Sequence, residues 1–483
     1  MITRSHAALA ALLGTLMAII PAPASAQAPR DIAGSWTGAL NVGGMSLRLV
    51  FHVARDSAGE LVTKMDSPDQ GALGIPVTET IFAADSVKFI IGNLGAEFAG
   101  TISPDGARME GRFRQGGADL ALALARGQVE PPKRPQNPAL PLPYDALDVT
   151  FANATGGNVL AGTLTVPRSA GPHPAVVLIS GSGPQDRDES LLGHKPFLVL
   201  ADHLTRNGIA VLRYDDRGVG ASTGAFATAT SQDFMMDALA AVAFLKSRSG
   251  IDAAKIGLAG HSEGGLIAPM AATRTSDVAF LVLLAGPGVN GEEILYLQAA
   301  KIMRAAGVPE PVIARNREMQ KVMFDIVKQE PDAAAAAERM RTRIRESLAG
   351  MSAEERQMLG AGSENTDAAI EMQVRQVNSP WFRYFLTYDP ATALTRVTVP
   401  VLALNGELDL QVPHDQNLPA IEAALRAAGN RDVTARILPR LNHLFQTATT
   451  GAPAEYANIE ETFSPAALGL IASWINARFG PKR

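Results

Sequence analysis

The sequence predicts an α/β domain, a mostly parallel sheet with helices on both faces, preceded by a small antiparallel β domain. From about residue 145 onward, short apolar runs alternate with helix-length segments. Strands that are apolar on both faces belong in a sheet covered on both sides. Residues from about 31 to 127 instead carry strand-like runs separated by Gly-rich turns, the spacing of a small barrel or sandwich. Between the two lies Glu130-Pro131-Pro132-Lys133-Arg134-Pro135-Gln136-Asn137-Pro138, which suits neither ladder nor helix and is expected to run as extended chain.

Residues 1–26 have the three parts of an export signal: Arg4, an apolar run over 7–20, and Ala24-Ser25-Ala26 ahead of Gln27. The run is too short to cross a bilayer, so a periplasmic or secreted protein is expected, without stable membrane insertion after cleavage; retention as an uncleaved anchor is the alternative. Cysteine is absent, which excludes thiol catalysis and thiolate metal sites, and a chain this long buries a core without disulfides. With 43 basic and 48 acidic residues, net charge −5, the composition gives no reason to expect a nucleic-acid partner. No metal-ligand spacing and no phosphate-cradling loop is present.

Residues 27–130 form the expected β-rich domain, with strands over 46–53 and 86–91 and turns at Gly43-Gly44, Asp105-Gly106 and Gly116-Gly117. Residues 131–144 are the Pro-rich linker and 145–483 the catalytic domain. Its apolar strands are expected over 175–180, 209–213, 255–259, 278–284, 399–404 and 433–438. The interval between the fourth and fifth is far too long for a loop, and its Ala-, Glu-, Arg- and Met-rich composition is helical. An inserted helical lid over about 288–390 is expected. Its Met303, Met319 and Met323 with Trp381, Phe382, Tyr384 and Phe385 suit an adaptable apolar surface for an acyl or aryl group, or equally ordinary packing between the helices.

Ser262 is the candidate nucleophile. It centres Gly260-His261-Ser262-Glu263-Gly264 between the strand 255–259 and a small-residue helix start at 265–272. The two glycines let the backbone turn sharply enough to lift a serine Oγ to the tip of a sheet. Gly220-Ala221-Ser222-Thr223-Gly224 fits the same pattern, but a Thr/Ala loop follows it, so Ser222 reads as a loop residue. The acid belongs in the loop after 399–404; Asp409 is chosen, with Glu407 and Asp415 as competitors. His443 follows the next strand and is the candidate base, whereas His261 is expected to point away from the serine and His414 to lie at the surface. The oxyanion donors are expected to be the N–H groups of Glu263 and, in Gly181-Ser182-Gly183-Pro184, of Ser182. The charged loops 186–188 and 214–218 would either contact substrate or brace each other.

With those motifs placed, the chain resembles the serine α/β-hydrolases over roughly residues 145–480. More narrowly it resembles the exported bacterial carboxylesterases of the EstD-like group, through Ser180-Gly181-Ser182-Gly183-Pro184-Gln185-Asp186-Arg187-Asp188, Arg213-Tyr214-Asp215-Asp216-Arg217-Gly218-Val219-Gly220 and Gly260-His261-Ser262-Glu263-Gly264-Gly265. The resemblance implies hydrolysis of a small-molecule carboxylic ester with no cofactor, and supports Ser262, Asp409 and His443 as a triad. Ser180 departs from the wider fold, where His often precedes the oxyanion glycine. Two rivals stay open: a serine peptidase or amidase of the same fold, and a secreted binding protein on a hydrolase scaffold that has lost activity.

Overall fold

Alternation with a period of two builds the N-terminal sheet. In Ser86–Ile91 the residues Val87, Phe89 and Ile91 are buried while their neighbours face outward, as pleating requires. The computed structural model describes residues 31–42, 45–67, 72–115, 118–127, 133–352 and 366–481. The export-signal segment, the Gly43-Gly44 and Gly116-Gly117 turns and residues 130–132 of the linker lie outside the described residues.

Among the described residues nine strands, from Gly34–Val42 to Ala118–Arg126, pair antiparallel throughout. The sheet curls toward closure: Val77 N–H donates to the Thr63 carbonyl at 3.1 Å, and the Thr80 hydroxyl donates to that of Thr63 at 2.8 Å. Inside it, Trp36, Phe51, Phe89, Phe98 and Met109 are fully buried, and Phe51 stacks on Phe89 with 4.7 Å between ring centroids. Side chains of this size make the interior a packed core.

The second sheet has eight strands, in the order Tyr144–Asn153, Asn158–Pro167, Ala210–Tyr214, His173–Ile179, Ile251–His261, Phe280–Leu284, Val401–Gly406, Val433–Leu438. From Ala210–Tyr214 onward all neighbours are parallel; the first two strands form an antiparallel hairpin at the edge, so the sheet is mixed. The central strands are buried along their whole length, which is why they read as continuous apolar runs. The hairpin was not anticipated, because Tyr144–Asn153 is mostly exposed and carries Asp145 and Asp148 where an apolar run would otherwise mark a strand. Between Phe280–Leu284 and Val401–Gly406 lie the helices Gly291–Ala305, Glu310–Gln329, Ala333–Ala349, Thr366–Val377, Pro380–Thr387 and Ala391–Leu394. Their own apolar core includes Met323, Phe324, Met340 and Phe382. Among the described residues no helix is long and apolar enough to cross a membrane.

The linker does not hang free after residue 132. Arg134 donates to the carbonyls of Leu192, Ala457 and Ile459 at 2.9–3.1 Å. Gln136 takes N–H groups of Thr462 and Phe463 at 2.6 and 3.0 Å and gives its own N–H to the Phe463 carbonyl at 2.7 Å. These anchors belong to the half built on the eight-stranded sheet. Deletion of residues 27–130, which retains them, is therefore expected to leave a soluble folded protein in which the activity implied by the motif resemblance, hydrolysis of small esters, keeps a kcat within about tenfold of the full chain, a change below about 1.4 kcal/mol. A folded truncation without activity would mean that the β domain completes the site.

Candidate active site

The strand Ile251–His261 runs into the helix Gly264–Ala272 with two residues between them. Ser262 makes the turn with φ of +52°, a left-handed conformation that costs a residue with a Cβ about 1–3 kcal/mol. The flanking glycines are dictated by space: a Cβ on Gly260 would sit 1.9 Å from the Gly264 carbonyl oxygen, and one on Gly264 would sit 2.1 Å from that of Ile179. Ser262 N–H donates to the Leu284 carbonyl and Gly265 N–H to that of Ser262, both at 2.8 Å. A strained serine at a strand-to-helix turn is the form of a nucleophile elbow. Ser222, by contrast, is buried with its hydroxyl donating to the Asp215 carbonyl at 2.7 Å and accepting Ala161 N–H at 2.9 Å.

Asp409 and His443 follow the strands Val401–Gly406 and Val433–Leu438, and both are buried. His443 Nδ1 is 2.9 Å from Asp409 Oδ2. Asp409 Oδ1 accepts the N–H groups of Gln411 and Val412 at 2.8 and 2.9 Å, and Oδ2 accepts the Asn405 amide at 3.1 Å. A carboxylate so surrounded by donors acts as acceptor toward the imidazole, which places the proton on Nδ1 and leaves the Nε2 lone pair available for a base. The competitors are engaged elsewhere: Glu407 accepts Arg440 N–H at 2.9 Å, and Asp415 faces Lys301 at 3.6 Å on the surface. His414 starts the helix His414–Ala427.

The loop Gly181–Pro184 lies directly against the elbow, since a Cβ on Gly181 would be 3.2 Å from Ser262 Cβ. Gly181 N–H is taken by Glu189 Oε1 at 2.8 Å, whereas the N–H groups of Ser182 and Glu263 have no acceptor among the described residues. Ser180 donates its hydroxyl to Asp216 at 2.9 Å. Burial pushes the Asp216 carboxyl up to about 8 and raises that of Glu263, whose Oε1 accepts Ser231 Oγ at 2.6 Å and Trp381 Nε1 at 2.8 Å. The charged loops brace each other. Arg187 holds Asp215 through Nε at 3.0 Å and Nη2 at 2.8 Å, Arg213 holds Asp188, and Arg217 holds Asp237 at 2.7 Å.

Sequence reasoning missed four contributors to this site. Asn405, buried at a strand end, joins Asp409 to the Val412 carbonyl. Trp381 reaches Glu263 from the inserted helix Pro380–Thr387. Glu189 adjoins the quoted Asp186-Arg187-Asp188 run, but its contacts depend on a backbone φ of +52° that no motif encodes. His261, set aside as a neighbour of the serine, is bonded to Glu189 Oε1 and to the His443 carbonyl. Among the described residues no cluster of His, Asp and Glu is placed to hold a metal ion.

Part of the sequence is similar to known hydrolases. A family profile described as serine aminopeptidase, S33, matches residues 195–359. Esterase EstD of Thermotoga maritima is 28% identical over 318 residues, and the match spans 65% of this chain and 64% of that protein's length. Among solved structures, an esterase of Pyrococcus furiosus aligns with 14% identity and a TM-score of 0.41, over 74% of this chain and 99% of that one. The α/β hydrolase GrgF of a Penicillium species aligns with 18% identity and a TM-score of 0.41, over 70% and 100%. The chain thus resembles EstD-like α/β-hydrolases over 65% of its length as well as in its motifs.

Proposed function

We propose that the protein is a serine hydrolase of carboxylic esters that works through an acyl-enzyme. The observation that carries this reading is the buried His443–Asp409 pair at 2.9 Å on the loops after two parallel strands, with the strained Ser262 elbow on the same sheet. Ser262 Oγ attacks the ester carbonyl carbon while His443 Nε2 takes its proton, and the carbonyl oxygen becomes an oxyanion received by the Ser182 and Glu263 N–H groups. Collapse breaks the ester C–O bond, the alkoxide leaves with the proton from His443, and water repeats the cycle on the acyl-serine to release the acid. Asp409 keeps the imidazole in the required tautomer throughout.

The description of the matching profile favours one rival, an aminopeptidase. Such an enzyme must hold a substrate ammonium, which calls for an ionised carboxylate beside the nucleophile. Three acids line the cavity behind the elbow: Asp216 and Glu263 are pushed toward their neutral forms by burial and are hydrogen-bonded internally, and Asp237 is ion-paired with Arg217 at 2.7 Å. Glu189, beside the elbow, is engaged by Gly181 N–H and His261. This favours the ester. A panel of p-nitrophenyl acyl esters against aminoacyl p-nitroanilides tests the choice: ester turnover alone is expected, and preferential cleavage of the anilides would overturn it.

We read the inserted helices as a lid that forms the acyl side of the site. Supporting this, Trp381 hydrogen-bonds the side chain of Glu263, the residue after the nucleophile, and Phe385 packs with Ile294 against Val412 of the acid loop. Trp381→Phe removes only the N–H donor. It is expected to raise KM for medium-chain acyl esters about 2- to 10-fold, the worth of one hydrogen bond of about 0.5–1.5 kcal/mol, with kcat little changed in steady-state kinetics. Export rests on the signal pattern of residues 1–26 alone; recovery of the protein in the periplasm or medium, beginning at Gln27, is the expected outcome.

A further inference from the structure

Two buried groups beside the nucleophile, His261 and Glu189, have no part in the proposed hydrolysis. His261 Nδ1 lies 2.9 Å from Glu189 Oε1, and its Nε2 lies 3.0 Å from the carbonyl oxygen of His443. A carbonyl oxygen only accepts, so Nε2 carries a proton. Glu189 Oε1 already accepts Gly181 N–H at 2.8 Å, the behaviour of a carboxylate oxygen rather than of an acid hydroxyl. With Glu189 Oε1 committed as an acceptor, the shared proton belongs on Nδ1. Both ring nitrogens are then donors, and an imidazole with two N–H bonds is a cation.

We propose that His261 is a constitutive imidazolium, ion-paired with Glu189, and that the pair is a positioning device holding the histidine loop and the oxyanion loop around Ser262. Its functional half rests on the ester-hydrolase reading; its charge state does not. The connection runs unbroken from the Gly181 backbone through Glu189 and His261 to the His443 backbone. A Cβ on Gly181 would meet Ser262 Cβ at 3.2 Å, Glu189 Oε1 at 3.4 Å and His261 Nδ1 at 3.6 Å, so the pair lies directly under the loop that carries Ser182. Charge-assisted bonds hold such a frame more stiffly than neutral ones.

The groups facing the ring agree with this charge. They are Glu189, the His443 carbonyl, the His443 ring at 4.9 Å between centroids, the Phe445 ring at 6.4 Å and, further off, Asp409. Burial pulls an imidazole down, as at His194, which has no carboxylate partner and is pushed to about 4. At His261 burial is outweighed by the Glu189 charge and the two hydrogen bonds, and the value is raised. A raised folded-state value means that the pair contributes its full stability below the unfolded imidazole value and loses it as pH climbs through the folded one.

Nitrogen NMR of the full chain labelled with ¹⁵N-imidazole histidine tests this, with His261→Gln assigning the signals and Glu189→Gln assigning them independently should His261→Gln not fold. Two protonated ring nitrogens on His261, unchanged from about pH 5.5 to 8.5, are expected. In Glu189→Gln one of them should lose its proton within that window, and Glu189→Asp should restore it at least in part. A wild-type His261 with one unprotonated nitrogen at neutral pH would overturn the charge assignment, whether or not the protein cleaves esters. Kinetically, His261→Gln should lower kcat about 10- to 100-fold, the cost of a small misplacement of reacting groups, with KM within about threefold. Unchanged kcat with intact ring signals in the wild type would overturn the positioning role alone.

Discussion

Ser262→Ala is expected to lower kcat for a short-chain ester by about 10⁶ while leaving the melting temperature close to that of the parent. Alanine keeps the Cβ and adopts the same left-handed turn, and the Leu284 and Gly265 hydrogen bonds are made by the backbone, so only the Oγ is lost. Ser222→Ala is expected to do the reverse. Removing its hydroxyl leaves Ala161 N–H buried without its partner, a cost of about 1–3 kcal/mol in stability, with kcat for the same ester essentially unchanged. Comparable kinetic losses in the two variants would mean that the nucleophile has been misassigned.

Asp409→Asn is expected to lower kcat by about 10⁴, the scale of the equivalent change in a serine protease, with little change in fold. Four donors converge on this carboxylate: the N–H groups of Gln411 and Val412, the Asn405 amide and His443 Nδ1. An asparagine brings an N–H of its own into that set. With the amide oxygen kept by the two backbone donors, the amino group faces Nδ1, and the imidazole turns to the tautomer whose Nε2 carries the proton. It then cannot accept one from Ser262. Glu407→Gln should change kcat less than about threefold, because that side chain serves only the Arg440 backbone on an exposed loop. A larger loss at position 407 than at 409, read from kcat in steady-state kinetics, would reassign the acid.

What the sequence revealed follows from what each element has to satisfy. Ser262 was legible because the elbow constrains its neighbours sterically: glycine at 260 and 264 is the only residue that fits, so geometry is written into residue type. The parallel strands were legible because burial on both faces makes them continuous apolar runs. Asp409 and His443 came from their position after successive strands, not from local pattern. The edge hairpin escaped notice because its outer strand, Tyr144–Asn153, is mostly exposed, and Glu189, Asn405 and Trp381 escaped because each acts through a contact between segments distant in the chain or in a backbone conformation that composition does not encode. Asn405 is an exception in distance, four residues from Asp409, but a polar residue inside an apolar strand end says nothing by itself about what it holds.

The central claim is that Ser262 is the group acylated during turnover. A fluorophosphonate that reacts with activated serines, followed by trypsin digestion and mass spectrometry, tests it directly. Ser262 is the only serine in the tryptic peptide 256–274, and Ser222 falls in the separate peptide 218–246. One equivalent of phosphonate on 256–274, with loss of esterase activity in proportion to labelling and no adduct in the Ser262→Ala variant, is the predicted result. An adduct on any other peptide that accompanies inactivation, or no labelling of a folded protein that hydrolyses esters, would contradict it.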